Sequence, residues 1–390
     1  AWIFLPRSPS RSVSEISMAE QLAAALAELG QQFADGDFVL DARFEDCHSA
    51  IEISLTERLG DLGKKIHAGR SRNDQVLVAS RLYLRAQLER INSLCASIAT
   101  ASLDRAQADA LTPMPGYTHL QRAVVSSVGL WFAGLAEAFI DNASLARDTA
   151  AWLNANPLGT AAGYGVNLPL ERALTTEKLN FDRMQVNPMY AQNSRGKFEL
   201  QALTAAAQAL LDCRRFAWDL SLYTTAEFDF VSMPDEYTTG SSIMPNKRNP
   251  DVVELMRGAY GVVQGAMAEL QAGLSLPSGY HRDLQRTKGP MIRGLVIAVD
   301  TLELTDALVR DLTLNTEAMA AAIEPAMYAT DVALEKVADG IPFREAYRQA
   351  MDNPDALASR SPAESLEARV SPGAAGNLQL DQLRARLDQL

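Results

Sequence analysis

The chain of 390 residues is poor in the residues that mark several protein classes. It has three cysteines, Cys47, Cys95 and Cys213, and no CxxC pair. That spacing argues against a disulfide framework or a structural zinc site, and it fits a reducing, cytoplasmic compartment. The four histidines, His48, His67, His119 and His281, are scattered without HExxH or comparable ligand spacing, so no metal site is expected. Basic residues are in deficit: 36 Lys and Arg stand against 48 Asp and Glu, a net charge of −12. A nucleic-acid partner calls for a basic surplus, so none is expected, and any anion must be met by local cations. Long apolar runs are also lacking. The nearest, AVVSSVGLWFAGLAEAFI over 123–140, contains two Ser and Glu137. A membrane span needs about 20 mostly apolar residues, so this segment reads as a buried bundle helix and no membrane partner is expected. The opening AWIFLPRSPSRS has an apolar run but no basic region before it, which makes a poor signal peptide. An initiator Met is missing, and so are internal repeats and low-complexity tracts.

Helical pattern is what the chain has in abundance. Apolar residues at helical spacing (Val76, Ala79, Leu82, Tyr83, Ala86, Ile91, Leu94) predict a helix over 75–109, with Arg81, Arg85 and Glu89 on its polar face. Further helices are predicted over 122–154, 197–223, 250–272 and 289–314. Asn249 reads as the N-cap of the fourth, with Pro250 at its first position and Asp251 favouring the positive end of the dipole. Several long helices with little β-pattern point to an all-α bundle. The expected organisation is an N-terminal helical domain over 1–70, a central long-helix bundle over 71–320 and a small C-terminal helical domain over 321–390.

Four loops gather polar residues. KKIHAGRSRNDQ, 64–75, sets cations and amides at a helix start and suits carboxylate binding. Its bland reading is a solvated basic loop with Asn73 or Asp74 as a cap. MPGYTHLQR, 114–122, places Thr118 and Arg122 around His119; imidazole serves in proton transfer near neutral pH, yet a histidine near a helix start is also a common structural hydrogen-bonder. TGSSIMPNKRNPD, 239–251, holds two serines. A serine acts as a base only where N–H groups and a cation stabilise its alkoxide, and Lys247 with the following helix start could supply that field. The competing reading is a capping loop. YHRDLQRTK, 280–288, again concentrates cations and amides, or presents a solvated helix face.

Taken together these loops resemble a known family. GSSIMPNKRNPD is similar to the shared motif of the fumarase/aspartase superfamily, and HAGRSRNDQ with PGYTHLQRA resembles its argininosuccinate lyase branch, from about residue 41 to the C-terminus. YHRDLQ and AQNSRGKFE look like a divergent bacterial subgroup. The resemblance implies an all-α fold with a central bundle of long helices and a homotetramer whose active sites combine loops from three subunits. The implied reaction is reversible cleavage of argininosuccinate to arginine and fumarate, without a cofactor. It places Ser241 as base and Lys247 and Asn249 on a substrate carboxylate. His119 is the acid-side residue, with Thr118 beside it and Glu254 as its partner. Ser71, Arg72 and Asn73 would contact the succinate half, and Tyr280, Gln285 and Lys288 the arginine half; His48 matches a position near the site. Two departures stand out. The family's Ser-x-Arg-Asp-Phe segment reads Asn193-Ser194-Arg195-Gly196-Lys197-Phe198, so Arg195 is a site candidate whose register is open. The first residues do not resemble the family's longer N-terminal segment, so the first domain is expected to be incomplete. The alternatives are another superfamily lyase, such as adenylosuccinate lyase or fumarase, and a catalytically silent structural homologue.

Overall fold

The computed structural model describes residues 13–352 and 357–390. The opening AWIFLPRSPSRS lies outside the described residues. Helices dominate: α1 (Val13–Ala34), α2 (Cys47–Leu59), α3 (Arg72–Ala108), a hairpin of β1 (Pro113–Thr118) and β2 (Gln121–Ser127), then α4 (Val128–Leu153), α5 (Arg172–Lys178), α6 (Pro188–Asn193) and α7 (Lys197–Tyr223). They continue with α8 (Asp251–Ala272), α9 (Lys288–Asp311), α10 (Thr316–Ala321), α11 (Ala329–Ala338), α12 (Phe343–Met351), α13 (Pro362–Glu367) and α14 (Leu380–Leu387). Among the described residues, no helix is long and apolar enough to cross a membrane.

The long helices form where apolar residues recur at three- and four-residue steps. On α3 the buried positions include Leu84, Leu88, Ile91, Cys95 and Ile98; on α4, Phe132, Ala136, Phe139 and Ala143; on α7, Ala206, Leu210, Cys213, Ala217 and Leu220. Each set is one stripe of a 3.6-residue helix turned to the core. The starts of α3, α7, α8 and α9 fall within three residues of the sequence expectation.

The second long helix is a correction. It begins at Val128, not at 122, because residues 121–127 form a strand paired antiparallel with 113–118. Pro113 and Pro115 cannot sit in a helix interior, and Val124 and Val125 favour the pleated ribbon they join. Val125 packs with Met327, Tyr328, Val332, Leu357 and Leu366, so the hairpin is anchored on the small C-terminal helices. The start of α8 is a second, smaller difference. Pro250, not Asn249, offers the first carbonyl, to the Val253 and Glu254 amides at 3.0 and 3.2 Å. Asn249 lies in a two-residue pairing with Thr239.

The chain divides into two compact units, each drawn from three stretches. Of the described residues, one holds those within 13–86, 149–202 and 269–290; the other holds those within 87–148, 203–268 and 291–390.

Candidate active site

The candidate residues fall into two groups. The second unit carries Thr118, His119, Ser241, Lys247, Asn249 and Glu254. Here TGSSIMPNKRNPD is a small hairpin: Thr239–Gly240 pairs with Arg248–Asn249, which closes a seven-residue loop over 241–247. Thr239 Oγ1 donates to the Asp251 carboxylate, and Arg248 pairs with Asp235 at 2.9 Å, so the base of the loop is tied on both sides. At its start, Ser241 Oγ accepts from the backbone N–H groups of Ile243 at 3.3 Å and Met244 at 3.1 Å. Two N–H dipoles aimed at one hydroxyl oxygen stabilise negative charge there. Lys247 is exposed, its backbone N–H bonded to Met244 O at 3.1 Å.

His119 does not stand near a helix start. It forms the tip of the hairpin with Leu120, and both have positive φ, 54° and 59°. A two-residue turn with both central φ positive matches the twist of the flanking strands, but side chains other than Gly, Asn and Asp resist it. The turn presents the imidazole at an exposed tip, with Thr118 ending β1 beside it. Glu254, in the first turn of α8, is 3.5 Å from Arg257; among the described residues no hydrogen bond or ion pair joins it to His119.

The first unit carries His48, Ser71, Arg72, Asn73, Arg195, Tyr280, Gln285 and Lys288. Ser71, rather than Asn73 or Asp74, caps α3. Its hydroxyl accepts the Asn73 N–H at 3.2 Å, and the Asp74 carboxylate accepts the Ser71 N–H at 2.9 Å, so the cap takes the second helical amide and is closed by the third side chain. The Arg72 guanidinium is engaged by Glu45 at 2.8 Å, Asp46 at 3.1 Å and Ser49 Oγ at 3.0 Å, which ties the start of α3 to the start of α2. His48 is half-buried in that first turn of α2. Burial lowers its pKa, Arg72, His67 and Lys288 push it further down, and Asp46 opposes them. On the last loop, Gln285 Nε2 donates to the Tyr280 hydroxyl at 2.6 Å, while Asn193 Oδ1 accepts the Gly279 N–H at 3.0 Å. The Arg195 guanidinium lies 5.8 Å from the centre of the Tyr280 ring. Arg195 is only 3% exposed, and both of its terminal nitrogens lack a hydrogen-bond partner among the described residues.

A lyase family profile matches residues 10–265. An argininosuccinate lyase of Stenotrophomonas maltophilia (strain R551-3) is 59% identical over 379 residues, covering 96% of this chain and 88% of that protein. The chain belongs to the argininosuccinate lyase family. A second member, from Xanthomonas campestris pv. campestris (strain B100), is 60% identical over 370 residues, covering 95% of this chain and 86% of its own. Among solved structures, EDDS lyase in complex with formate superposes with a TM-score of 0.82 at 24% identity, covering 95% of this chain and 81% of that one. A fumarate lyase from Mesorhizobium sp. BNC1 gives 0.69 at 19% identity, covering 96% and 90%. These likenesses show the fold, an all-α architecture of long helices.

For this argininosuccinate lyase family chain, three buried groups of the first unit stand outside the candidates of the sequence reading, which takes Asp74 only as a cap, omits Glu199, and sets Arg81 on a solvated polar face although it is buried. Asp74 is fully buried, where burial raises its pKa while backbone N–H bonds from Ser71, Ala161 and Gly159 and the charge of Arg70 pull it back. Arg81 is 1% exposed, its guanidinium 3.2 Å from the Phe198 ring centre, and desolvation lowers its pKa to about 10, so it remains charged at neutral pH. Glu199 accepts the Gly196 N–H at 2.7 Å, and its charge favours the cationic forms of both Arg81 and Arg195. A buried ion in an otherwise apolar helix face was the available signal, since Arg81 stands among Leu77, Val78, Leu84 and Leu88. Cys95 and Cys213 sit as inert buried thiols, whereas Cys47 is exposed. Cys95 and Cys213 are buried with raised pKa, Cys213 to about 12, and no disulfide forms among the described residues.

Proposed function

We propose that this chain catalyses the reversible elimination of fumarate from argininosuccinate, releasing arginine, with Ser241 as the base. The observation that carries the assignment of the base is the pair of backbone N–H groups on Ser241 Oγ. A serine hydroxyl in water is too weak an acid to exist as alkoxide, but a preorganised pair of donors lowers that cost, and Lys247 in the same loop adds positive charge.

The base takes a proton from the succinyl CH2 next to the distal carboxylate. The electron pair delocalises into that carboxylate as an aci-carboxylate, which Lys247 and Asn249 stabilise. The pair then forms the carbon–carbon double bond of fumarate as the carbon–nitrogen bond breaks, and the electrons of that bond go to the guanidino nitrogen. An acid on the Thr118–His119 turn returns a proton to that nitrogen; Glu254, which no hydrogen bond or ion pair joins to His119 among the described residues, meets an imidazole only where subunits share the site. Ser71 and Asn73 hold the succinate half. Arg72, committed to Glu45, Asp46 and Ser49, contributes its field and the placement of its neighbours; His48 lies next to that clamp. Tyr280, Gln285 and Lys288 hold the arginine half, and Arg195 supports Tyr280 from beneath.

We further read the assembly as a cytoplasmic homotetramer with sites shared between subunits. Support comes from α8, whose outward face carries Leu255, 73% exposed, and Val262, 41% exposed, among Gly258, Gly261 and Gly265, against which none of the described residues stands. An apolar face with room for close backbone approach fits a second copy of the same helix bundle. On the chemical side, Ser241→Ala leaves assembly intact and lowers kcat by about 100-fold or more, as expected for loss of a general base. Near-wild-type turnover in that variant would remove Ser241 from its role.

A further inference from the structure

Asp74 does more than close the cap of α3. Its Oδ1 accepts the Ser71 N–H at 2.9 Å, and its Oδ2 accepts the N–H groups of Gly159 at 2.9 Å and Ala161 at 3.1 Å. The segment it grips is an unusual piece of backbone. Gly159 has φ +87° and Ala161 has φ +51°, a conformation that an alanine adopts only at a cost. On the other side Arg172 donates to Leu158 O at 3.0 Å and Val186 O at 3.1 Å, and Gln192 Nε2 donates to Ala161 O at 3.0 Å. Asn156 completes the cradle: its Oδ1 accepts the Leu158 N–H at 3.0 Å and its Nδ2 donates to Thr175 and Thr176. The loop over 156–161 thus has almost no freedom of its own; the Asp74 carboxylate ties it by hydrogen bonds to the start of α3, and Leu158 packs on Val78 one turn further along that helix.

We infer that Asp74 is a positioning residue for the succinate half of the substrate: it locks the 158–161 loop to the α3 cap and so fixes the place of Ser71 and Asn73. The inference rests on the reading that those two residues contact the succinate half. The chemistry requires a carboxylate. Three N–H donors converge on two oxygens, and a carboxamide of the same size offers one oxygen while turning an NH2 toward donors. Tyr280 and Gln285 are held by their own bond and by the Asn193–Gly279 contact, none of which involves Asp74. The two halves of the substrate therefore differ in their dependence on it.

The test is Asp74→Asn in the full-length chain, read by inhibition and calorimetric binding of fumarate and of arginine separately. The inference expects kcat/KM for argininosuccinate to fall by about 100-fold, the scale of a misplacement near 1 Å, with fumarate affinity lowered at least about tenfold and arginine affinity unchanged. A merely structural role would weaken both ligands together, and that result, or no change in either, overturns the inference. Should Asp74→Asn fail to fold, Gly159→Ala keeps the carboxylate but crowds the Arg172 side chain, whose Cγ stands 3.0 Å from the added Cβ, and it forces φ +87° on an alanine. The same selective loss of fumarate is expected from it. Amide exchange at Gly159 and Ala161 separates this result from failure of the functional reading. Faster exchange in Asp74→Asn alongside a wild type inert toward argininosuccinate leaves the lock in place but overturns its role in that reaction. Unchanged exchange rules out the lock itself.

Discussion

At the residue scale the candidate site depends on backbone N–H groups as much as on side chains. Ser241 takes two of them and Asp74 takes three. His48 shows how the local field sets protonation. Burial, then Arg72, His67 and Lys288, hold it below the ordinary imidazole value of 6.5 against the pull of Asp46. Its folded value lies below the unfolded one, so between the two the unfolded chain binds more protons. The stabilising contribution is thus complete above the unfolded value and is lost as pH falls through the lowered one. A proton NMR titration is expected to place the His48 midpoint below 6.5, and Arg72→Ala to move it upward by removing a repelling cation. A midpoint at or above 6.5 in the wild type contradicts this electrostatic picture.

At the element scale the long helices were legible and the hairpin was not. The stripes on α3, α7, α8 and α9 repeat over five or more turns, so a helix is the only period that buries them all. By contrast, QRAVVSS over 121–127 runs straight into an apolar helix with no proline or glycine between them, and periodicity alone joins the two. The turn at His119-Leu120 lacks the Asn-Gly or Gly-Gly signature that marks such a turn in a sequence. Asp74 was hidden for another reason: its partners Gly159 and Ala161 lie 85 and 87 residues away, beyond the reach of any local pattern. The strain in the turn is measurable. Leu120→Gly removes a side chain from a φ +59° position and is expected to raise stability by about 1 kcal/mol, part of the per-residue cost of left-handed backbone. Urea unfolding at fixed protein concentration checks it; a destabilised variant means that Leu120 contributes packing that outweighs the strain.

At the scale of the whole molecule the candidate residues divide between two compact units, eight in one and six in the other. The motifs that identified the family were readable because each is a contiguous loop. How those loops meet is not written in any of them, since that depends on the packing of long helices and of whole chains. The exposed Leu255 and Val262 and the open glycines of α8 make the assembly testable. Leu255→Glu is expected to break the proposed tetramer into smaller species by sedimentation, and turnover is expected to fall with it. A tetramer that persists in this variant shows that α8 does not provide the contact.

The central claim is the reaction, and one assay addresses it. The purified wild-type chain, given argininosuccinate and separately adenylosuccinate, is followed by the ultraviolet absorbance of fumarate. Fumarate appearing from argininosuccinate alone is the predicted result. Fumarate from adenylosuccinate instead, or no fumarate from a correctly assembled tetramer, would contradict it.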